Sequence, residues 1–405
     1  MRISTNARSL TGDAIHLFAL LGMVFIPVDN LLLPVQTKLA DTVFGPLIAH
    51  LLRYQDLQPV SSRISSDSTS MYWLLALLLG LALTLRLLFS FTRRNGQLGR
   101  FRQLVRLLAL YYLAYRLLEY GADKLFKGQF YQPEPNTLYT PFGLLDRDLL
   151  YWSTMGLSWP YNCFLGAGEV LAAILLLFRG TRMAGLLLSL FILANIVAIN
   201  FGFDISVKLY SLFLTFLVLL ALGPSFRPLY RFFFRQELAQ VQPASFTLFS
   251  RPIHTGLKVF ALGFLLINVG WPYLRAGQWN SDRAERPHLH GAYEVVATYL
   301  EGDTTPALNP FKRAFIHRNG YFILQSPDDR MQDFRMALDT GNRLILLTNY
   351  EGQQSEIRYA EKDSLLEFYF ISAPQHFRLL TRKLPWERLP ALQPSFHWTV
   401  ESSLR

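Results

Sequence analysis

The sequence predicts an α-helical polytopic membrane bundle followed by a small all-β barrel or sandwich domain. Of its 405 residues, 51% are hydrophobic and 17% are charged, whereas about a quarter of an average soluble chain is charged. The apolar residues concentrate before residue 275 in long runs. After that point, short strand-like runs alternate with turn residues, which indicates antiparallel strands.

Membrane spans are predicted wherever an apolar run approaches the roughly 20 residues that cross a bilayer. Arginines concentrate on one side of the resulting bundle, which places the N-terminus in the cytoplasm and the β domain outside. The first run lacks a small-residue cleavage site, so we expect a retained anchor. The seven predicted spans are 14–33, 72–91, 104–120, 161–178, 183–201, 207–222 and 257–273.

Two connections between the spans are long. Residues 34–71 are predicted as a polar loop, with the short apolar run 43–52 lying on the surface or against the bundle. Prolines after the third span begin an external loop that runs to about residue 159. Its Tyr139 and Trp152 are typical of an aromatic belt at the membrane interface. In the fourth span, Gly166, Gly168 and nearby alanines form a small-residue face that lets another helix approach closely.

Composition divides the chain into four regions. Residues 1–100 hold two spans and an external loop, residues 101–236 a helical core, and residues 237–280 a cytoplasmic segment and the last span. Residues 281–405 form the β-rich domain, for which we favour an up-and-down barrel. Its predicted strands are 291–300, 314–317, 321–325, 331–338, 343–348, 355–359, 365–371 and 376–381.

Ionisable and amide side chains lie inside or at the edges of the central apolar runs. Such groups are costly in hydrocarbon unless they pair or face a wet cavity, so they indicate a functional site. They are Arg116, Glu119, Lys124, Glu169, Asn195, Asn200, Asp204 and Lys208.

These polar residues admit two interpretations. In the first, ion pairs such as Arg116 with Glu119 only lock the helices together. In the second, they line a pocket open to the outside, in which Glu169 and Glu119 are catalytic and carry protons. The substrate-binding residues are then Arg116, Lys124, Asn200, Asp204 and Lys208.

Other kinds of site find little support in the sequence. A single cysteine, Cys163, excludes an intramolecular disulfide and a Cys-x-x-Cys pair. His288 and His290 share one strand face but lack an evident third ligand, so no metal site is predicted. The net charge of +10 comes mostly from arginines beside apolar segments. We therefore expect a lipid bilayer, and no nucleic acid, as the partner of these arginines.

Residues 104–235 carry short motifs in a fixed order. They are 119–121 with Lys124, 129–130, 151–156, 166–170, 175–179, 195–201, and Asp204 with 207–211. In order and spacing, this stretch resembles the DoxX-like membrane protein family, in particular its long Bacteroidetes-type form. More distantly, the bundle resembles the membrane part of vitamin K-dependent carboxylase-like proteins.

The resemblance implies a four-helix core in the inner membrane of a bacterium, and the β domain outside would then be periplasmic. Some DoxX relatives are membrane subunits linked to quinone-coupled oxidation of sulfur compounds or thiols. We therefore expect a redox-associated subunit that binds a quinone or another small hydrophobic substrate. With Cys163 as its lone thiol, the chain would need the quinone or a periplasmic or membrane protein partner for electron transfer. The alternative is a non-enzymatic scaffold whose β domain binds an envelope partner.

Overall fold

The computed structural model describes residues 2–28, 35–54, 64–90, 95–237, 251–300, 309–362, 365–371, 376–393 and 397–399. It divides into a helical unit, residues 1–129 and 160–281, and a barrel unit, residues 130–159 and 282–405. The helices are α1 (Arg2–Phe25), α2 (Val35–Tyr54), α3 (Thr69–Ser90), α4 (Asn95–Leu125), α5 (Pro135–Leu138), α6 (Arg147–Leu157), α7 (Trp159–Leu177), α8 (Arg182–Gly202), α9 (Lys208–Leu222), α10 (Phe226–Arg235) and α11 (Arg251–Ala276).

Four helices in the described part of the chain are long and apolar enough to cross a membrane. They are Thr69–Phe89, Trp159–Leu177, Arg182–Gly202 and Lys208–Arg235. A shorter apolar helix is Thr11–Phe25. The chain is therefore a helical membrane protein by length and composition, but the predicted count of seven spans is not confirmed. Helix α4 differs from the four because charged residues occur at both of its ends.

Helix α2 occupies most of the stretch 34–71, so the prediction of a loop there is wrong. The helix packs against α1 and α3, which is one of the two positions predicted for the apolar run 43–52. Its buried apolar residues are spaced four apart on one face: Ala40, Phe44, Ile48 and Leu52. Other apolar residues of the helix are exposed, among them Val43 and Leu47. The run 43–52 is too short to cross a bilayer, so the helix was not recognised as a span.

Helices α4 and α7 approach each other closely at two glycines. A β-carbon on Gly121 would lie 2.8 Å from the carbonyl oxygen of Gly166, and one on Gly166 would lie 2.7 Å from that of Gly121. The small-residue face predicted on this span is thus used at Gly166. Gly168, in contrast, has open space where its β-carbon would be.

The barrel unit contains a closed antiparallel barrel of eight strands. Each strand pairs with its neighbours in sequence, and β1 pairs with β8, so the barrel is of the up-and-down type. The strands are β1 (Gly291–Leu300), β2 (Arg313–His317), β3 (Tyr321–Gln325), β4 (Met331–Asp339), β5 (Leu344–Thr348), β6 (Gln354–Lys362), β7 (Leu365–Phe370) and β8 (Phe377–Lys383). The predicted barrel is confirmed.

Aromatic side chains fill the barrel. Phe322 and Phe368 are fully buried and meet edge to face with ring centroids 5.3 Å apart. Phe370 and Phe377 stack at 4.1 Å. The interior is thus a packed apolar core, as in other small barrels, and closure removes the free strand edges.

Residues 130–159 pack on the outside of the barrel, within the same unit. The ring of Tyr139 lies 6.1 Å from that of Phe315, so this tyrosine packs on the barrel wall. Buried Glu134 accepts a hydrogen bond at 3.0 Å from the backbone amide of Arg318 and pairs with its side chain. Nε2 of His290 lies 2.8 Å from the Glu134 carboxylate. Glu134 thus ties the segment to the residue before strand β1 and to the β2–β3 turn.

Candidate functional site

Arg116 of α4 is the largest fully buried side chain among the described residues, at 1% exposure. Its Nη1 donates a 2.7 Å hydrogen bond to Glu119, and its Nη2 donates one of 3.1 Å to Gln36 of α2. Three tyrosine rings lie 5.4, 5.0 and 5.9 Å from the guanidinium: Tyr112, Tyr115 and Tyr210. The predicted pairing of Arg116 with Glu119 is confirmed, and the aromatic faces add cation–π attraction.

A cavity of about 350 Å³ lies beside Glu119, between α4 and α11. Asp123, one turn beyond Glu119, also lines it, and the hydroxyl of Tyr273 donates a hydrogen bond to the Asp123 carboxylate. The wall includes Tyr115, whose hydroxyl has no hydrogen-bond partner among the described residues, and Asn268. Small-molecule sites begin at about 300 Å³, so this cavity has the size of a single-ring ligand.

Lys124 and Glu169 form a separate buried pair between α4 and α7. The Lys124 ammonium donates 2.8 Å hydrogen bonds to both oxygens of the Glu169 carboxylate. Their side chains are 7% and 3% exposed. Neither residue lines the cavity beside Glu119. The two opposite charges are in direct contact, and one ammonium group donates hydrogen bonds to both carboxylate oxygens.

Asn200, Asp204 and Lys208 lie where α8 ends and α9 begins. Nζ of Lys208 lies 2.6 Å from the exposed carboxylate of Asp204. Asp67 accepts hydrogen bonds of 2.8 and 2.9 Å from the first two backbone amides of α9. The Asn200 amide donates to the Ser211 hydroxyl at 3.0 Å. Asp67 thereby satisfies backbone donors that a helix start leaves without partners, and Asn200 ties α8 to α9.

The seven predicted site residues therefore fall into three groups. Glu119 lines the cavity and pairs with Arg116. Lys124 pairs with Glu169, and the remaining residues hold the α8–α9 connection. Successive helical residues turn by about 100°. Because of this turn, Lys124 faces α7 while Asp123, the residue before it, faces the cavity.

The sequence interpretation missed four residues that shape these groups. Asp123 stands four residues after Glu119, a spacing that places both on one helical face and that could have identified it. Gln36, Asp67 and Tyr273 lie far from their partners in sequence, and no local pattern links them.

The two histidines considered as metal ligands bind different carboxylates. His288 lies 3.2 Å from Glu361, and His290 lies 2.8 Å from Glu134. Within the described ranges, no three His, Cys, Asp or Glu residues are grouped so as to hold a metal ion. Both histidines therefore serve as ion-pair or hydrogen-bond partners in this structure.

Comparison with known proteins identifies one relative at moderate identity. A Bacillus subtilis (strain 168) protein, the uncharacterized protein YwoB, is 36% identical over 143 residues, which are 34% of this chain and 90% of YwoB. The chain belongs to the YwoB family. YwoB is itself uncharacterized, so membership assigns no activity, and about two thirds of the chain lie outside the match to YwoB. No family model matches the chain, and no solved structure matches it.

Proposed function

We propose that the helical unit binds a quinone or another small hydrophobic molecule in the cavity between α4 and α11, as a redox-associated membrane subunit. The observation that carries this proposal is the pair of carboxylates, Glu119 and Asp123, on the wall of a cavity of about 350 Å³. Carboxylates in a membrane bundle are costly. They are expected where they interact with a ligand, a proton or water.

The polar groups on the cavity wall suit the oxygen atoms of a quinone and of its reduced form. A carboxylate accepts a hydrogen bond from a hydroxyl, so Glu119 and Asp123 would bind the quinol. The Tyr115 hydroxyl can donate to a carbonyl, and would bind the quinone. Arg116 would act as a positioning residue, because its Nη1 holds the Glu119 carboxylate at 2.7 Å.

This proposal transfers the second proton-handling role from Glu169 to Asp123. Both oxygens of Glu169 are occupied by Lys124, which leaves little capacity for a ligand. Lys124, Glu169, Asn200, Asp204 and Lys208 are assigned to helix packing and helix ends, in agreement with the first interpretation of the polar residues.

The test uses full-length protein extracted from its native membrane in mild detergent. Mass spectrometry of co-extracted small molecules should detect a quinone or related hydrophobic ligand at nearly one per chain. Glu119→Gln and Tyr115→Phe should each reduce its occupancy, the second without changing charge. Glu169→Gln is the matched control, since it removes a buried carboxylate that does not line the cavity.

Three outcomes decide the test. An empty wild-type protein would contradict ligand binding in the cavity. Full occupancy in both Glu119→Gln and Tyr115→Phe would locate the ligand elsewhere. Loss of ligand in Glu169→Gln, with the fold retained, would restore Glu169 to the site.

A second candidate function is that of a scaffold whose barrel binds an anionic envelope partner. A groove of about 980 Å³ on the barrel unit is lined by three arginines, and none of its described lining residues is a carboxylate. The arginines are Arg343, Arg358 and Arg378. We propose that Arg358→Glu with Arg378→Glu would abolish co-purification of a partner crosslinked in native membranes. Arg335→Glu, on exposed strand β4, is the control, and retention of the partner in the double variant would refute this function.

A further inference from the structure

An aspartate and three arginines converge where α1, α3 and α4 pack together. Asp13 of α1 is fully buried. Its carboxylate accepts a 2.9 Å hydrogen bond from Nε of Arg86 and one of 2.5 Å from Nε of Arg102. Arg106 lies one turn after Arg102 on α4, within electrostatic range of it. Among the described residues, Asp13 is the carboxylate that pairs with Arg86 and with Arg102.

Two buried donors of this cluster have no hydrogen-bond partner among the described residues. They are Nη1 of Arg86 and Nε of Arg106. Arg86 itself is only 6% exposed, so water does not readily solvate its charge. A buried donor without a partner and a buried charge in excess both cost free energy. Asp13 pairs with Arg86 and Arg102, and Arg106 adds a third guanidinium within electrostatic range of Arg102. These four residues together therefore carry an excess of positive charge.

We infer that the cluster of Asp13, Arg86, Arg102 and Arg106 binds a phosphate group, from a phospholipid headgroup or from free phosphate. The guanidinium fork matches the oxygens of phosphate and donates charge-assisted hydrogen bonds to them. Asp13 acts as a positioning residue, because it holds two of the guanidiniums through their Nε atoms.

The position of the cluster suits a headgroup. Arg86 lies near the end of α3 and Arg102 near the start of α4, so the cluster is at the end of the bundle where these helices connect. Arginines at such an end attract anionic lipids. The ligand would satisfy the free donors of Arg86 and Arg106 without breaking either bond to Asp13.

The experiment uses full-length protein in mild detergent and two probes. In the first titration, inorganic phosphate is added and its binding is measured by the shift in unfolding temperature. In the second, phosphatidylglycerol is added and native mass spectrometry counts the bound lipid molecules. Arg106→Gln should weaken binding about tenfold, the effect of losing one charge-assisted hydrogen bond. Arg100→Gln is the matched control, because Arg100 is exposed on the same helix. Arg106→Lys, which keeps the charge but lacks Nε, serves if the glutamine variant does not fold.

Saturable binding of both probes supports a site for free phosphate, and binding of phosphatidylglycerol alone supports a headgroup site. Phosphatidylcholine, which has a phosphate but no net charge, should bind more weakly in either case. Failure to bind either probe would overturn the inference. So would equal weakening by Arg106→Gln and Arg100→Gln, which would indicate a general charge effect, or wild-type affinity in Arg106→Lys. These readouts do not involve the cavity beside Glu119, so this inference and the proposed function can fail separately.

Discussion

Replacing Glu134 by Gln should destabilise the barrel unit by an amount that depends on pH. Burial alone would raise the pKa of Glu134, but the hydrogen bond with His290 and the charge of Arg318 outweigh burial and lower the pKa from 4.5 to about 2. The difference of about 2.5 units, at 1.36 kcal/mol per unit, corresponds to about 3 kcal/mol of stability at neutral pH. Removing one partner of a buried ion pair costs a similar amount, about 3–5 kcal/mol.

The sign of the pH dependence follows from the lowered pKa. The folded state holds Glu134 ionised at pH values where the unfolded chain has begun to protonate it. Its contribution is therefore complete above pH 4.5 and is lost as the pH falls towards 2. At pH 3 about 1.4 kcal/mol should remain, because the folded carboxyl is then still mostly ionised. Burial also lowers the pKa of His317, so protonation of this histidine in the unfolded chain adds to the acid destabilisation below pH 6.5.

The assay is urea unfolding of the full-length protein in detergent between pH 3 and pH 7. Hydrogen exchange of the backbone amides in strands β1 and β2 monitors the unfolding of the barrel. Wild type and Glu134→Gln should differ by about 3 kcal/mol at pH 7 and by less than half of that at pH 3. Glu361→Gln is the matched control. It removes the carboxylate of an exposed His288 pair, and an exposed pair contributes at most about 1 kcal/mol. A difference between wild type and Glu134→Gln that is constant with pH would refute the electrostatic explanation.

Three further predictions concern the helical unit and share one measurement, the free energy of unfolding in detergent. Lys124→Met should cost about 3–5 kcal/mol by leaving the Glu169 charge buried without its cation, and adding Glu169→Leu should recover most of that loss; additive losses would contradict the pairing. Gly166→Ala should cost about 1–3 kcal/mol because its β-carbon would meet α4 at 2.7 Å, whereas Gly168→Ala, in open space, should cost nothing. Asp67→Ala should cost about 1–2 kcal/mol by removing two hydrogen bonds to the start of α9, and an unchanged stability would exclude this capping role.

The barrel could be predicted closely because its signals are local. Alternating burial has a period of two in each strand, as in β7, where Leu366, Phe368 and Phe370 are buried. The turn between the predicted strands 314–317 and 321–325 is present, and its Gly320 adopts a φ of +72°, which glycine accommodates without strain. Closure of β1 onto β8 follows once eight such strands are joined in order, because an unpaired edge would be left otherwise.

The helical unit was harder to predict because membrane helices were recognised by continuous apolar runs. Helix α2 was missed because its apolar run, 43–52, is too short to cross a bilayer. The pairing of Arg116 with Glu119 was predictable because residues three apart on a helix are neighbours. The bond from Tyr273 to Asp123 joins residues 150 positions apart, and such a contact depends on how whole helices pack.

The balance of charge within each cluster separates packing residues from candidate sites better than burial does. Lys124 and Glu169 are both buried, and one cation meets one carboxylate, so their cluster is neutral without a ligand. At the cavity, Glu119 and Asp123 are two carboxylates near the single guanidinium of Arg116. This excess of negative charge favours the binding of a proton or of a hydrogen-bond donor. The hydroxyl groups of a quinol are such donors.

The same reasoning applies with opposite sign at Asp13, where one carboxylate meets several arginines. An excess of positive or negative charge inside a membrane bundle costs free energy. A bound group of the opposite charge, or one that forms the missing hydrogen bonds, removes that cost. Neutralising variants should therefore have different consequences at the two kinds of cluster. At Lys124 and Glu169, replacing both residues by apolar ones should restore stability. At the cavity and at the arginine cluster, loss of the charge in excess should abolish ligand binding while the fold is retained.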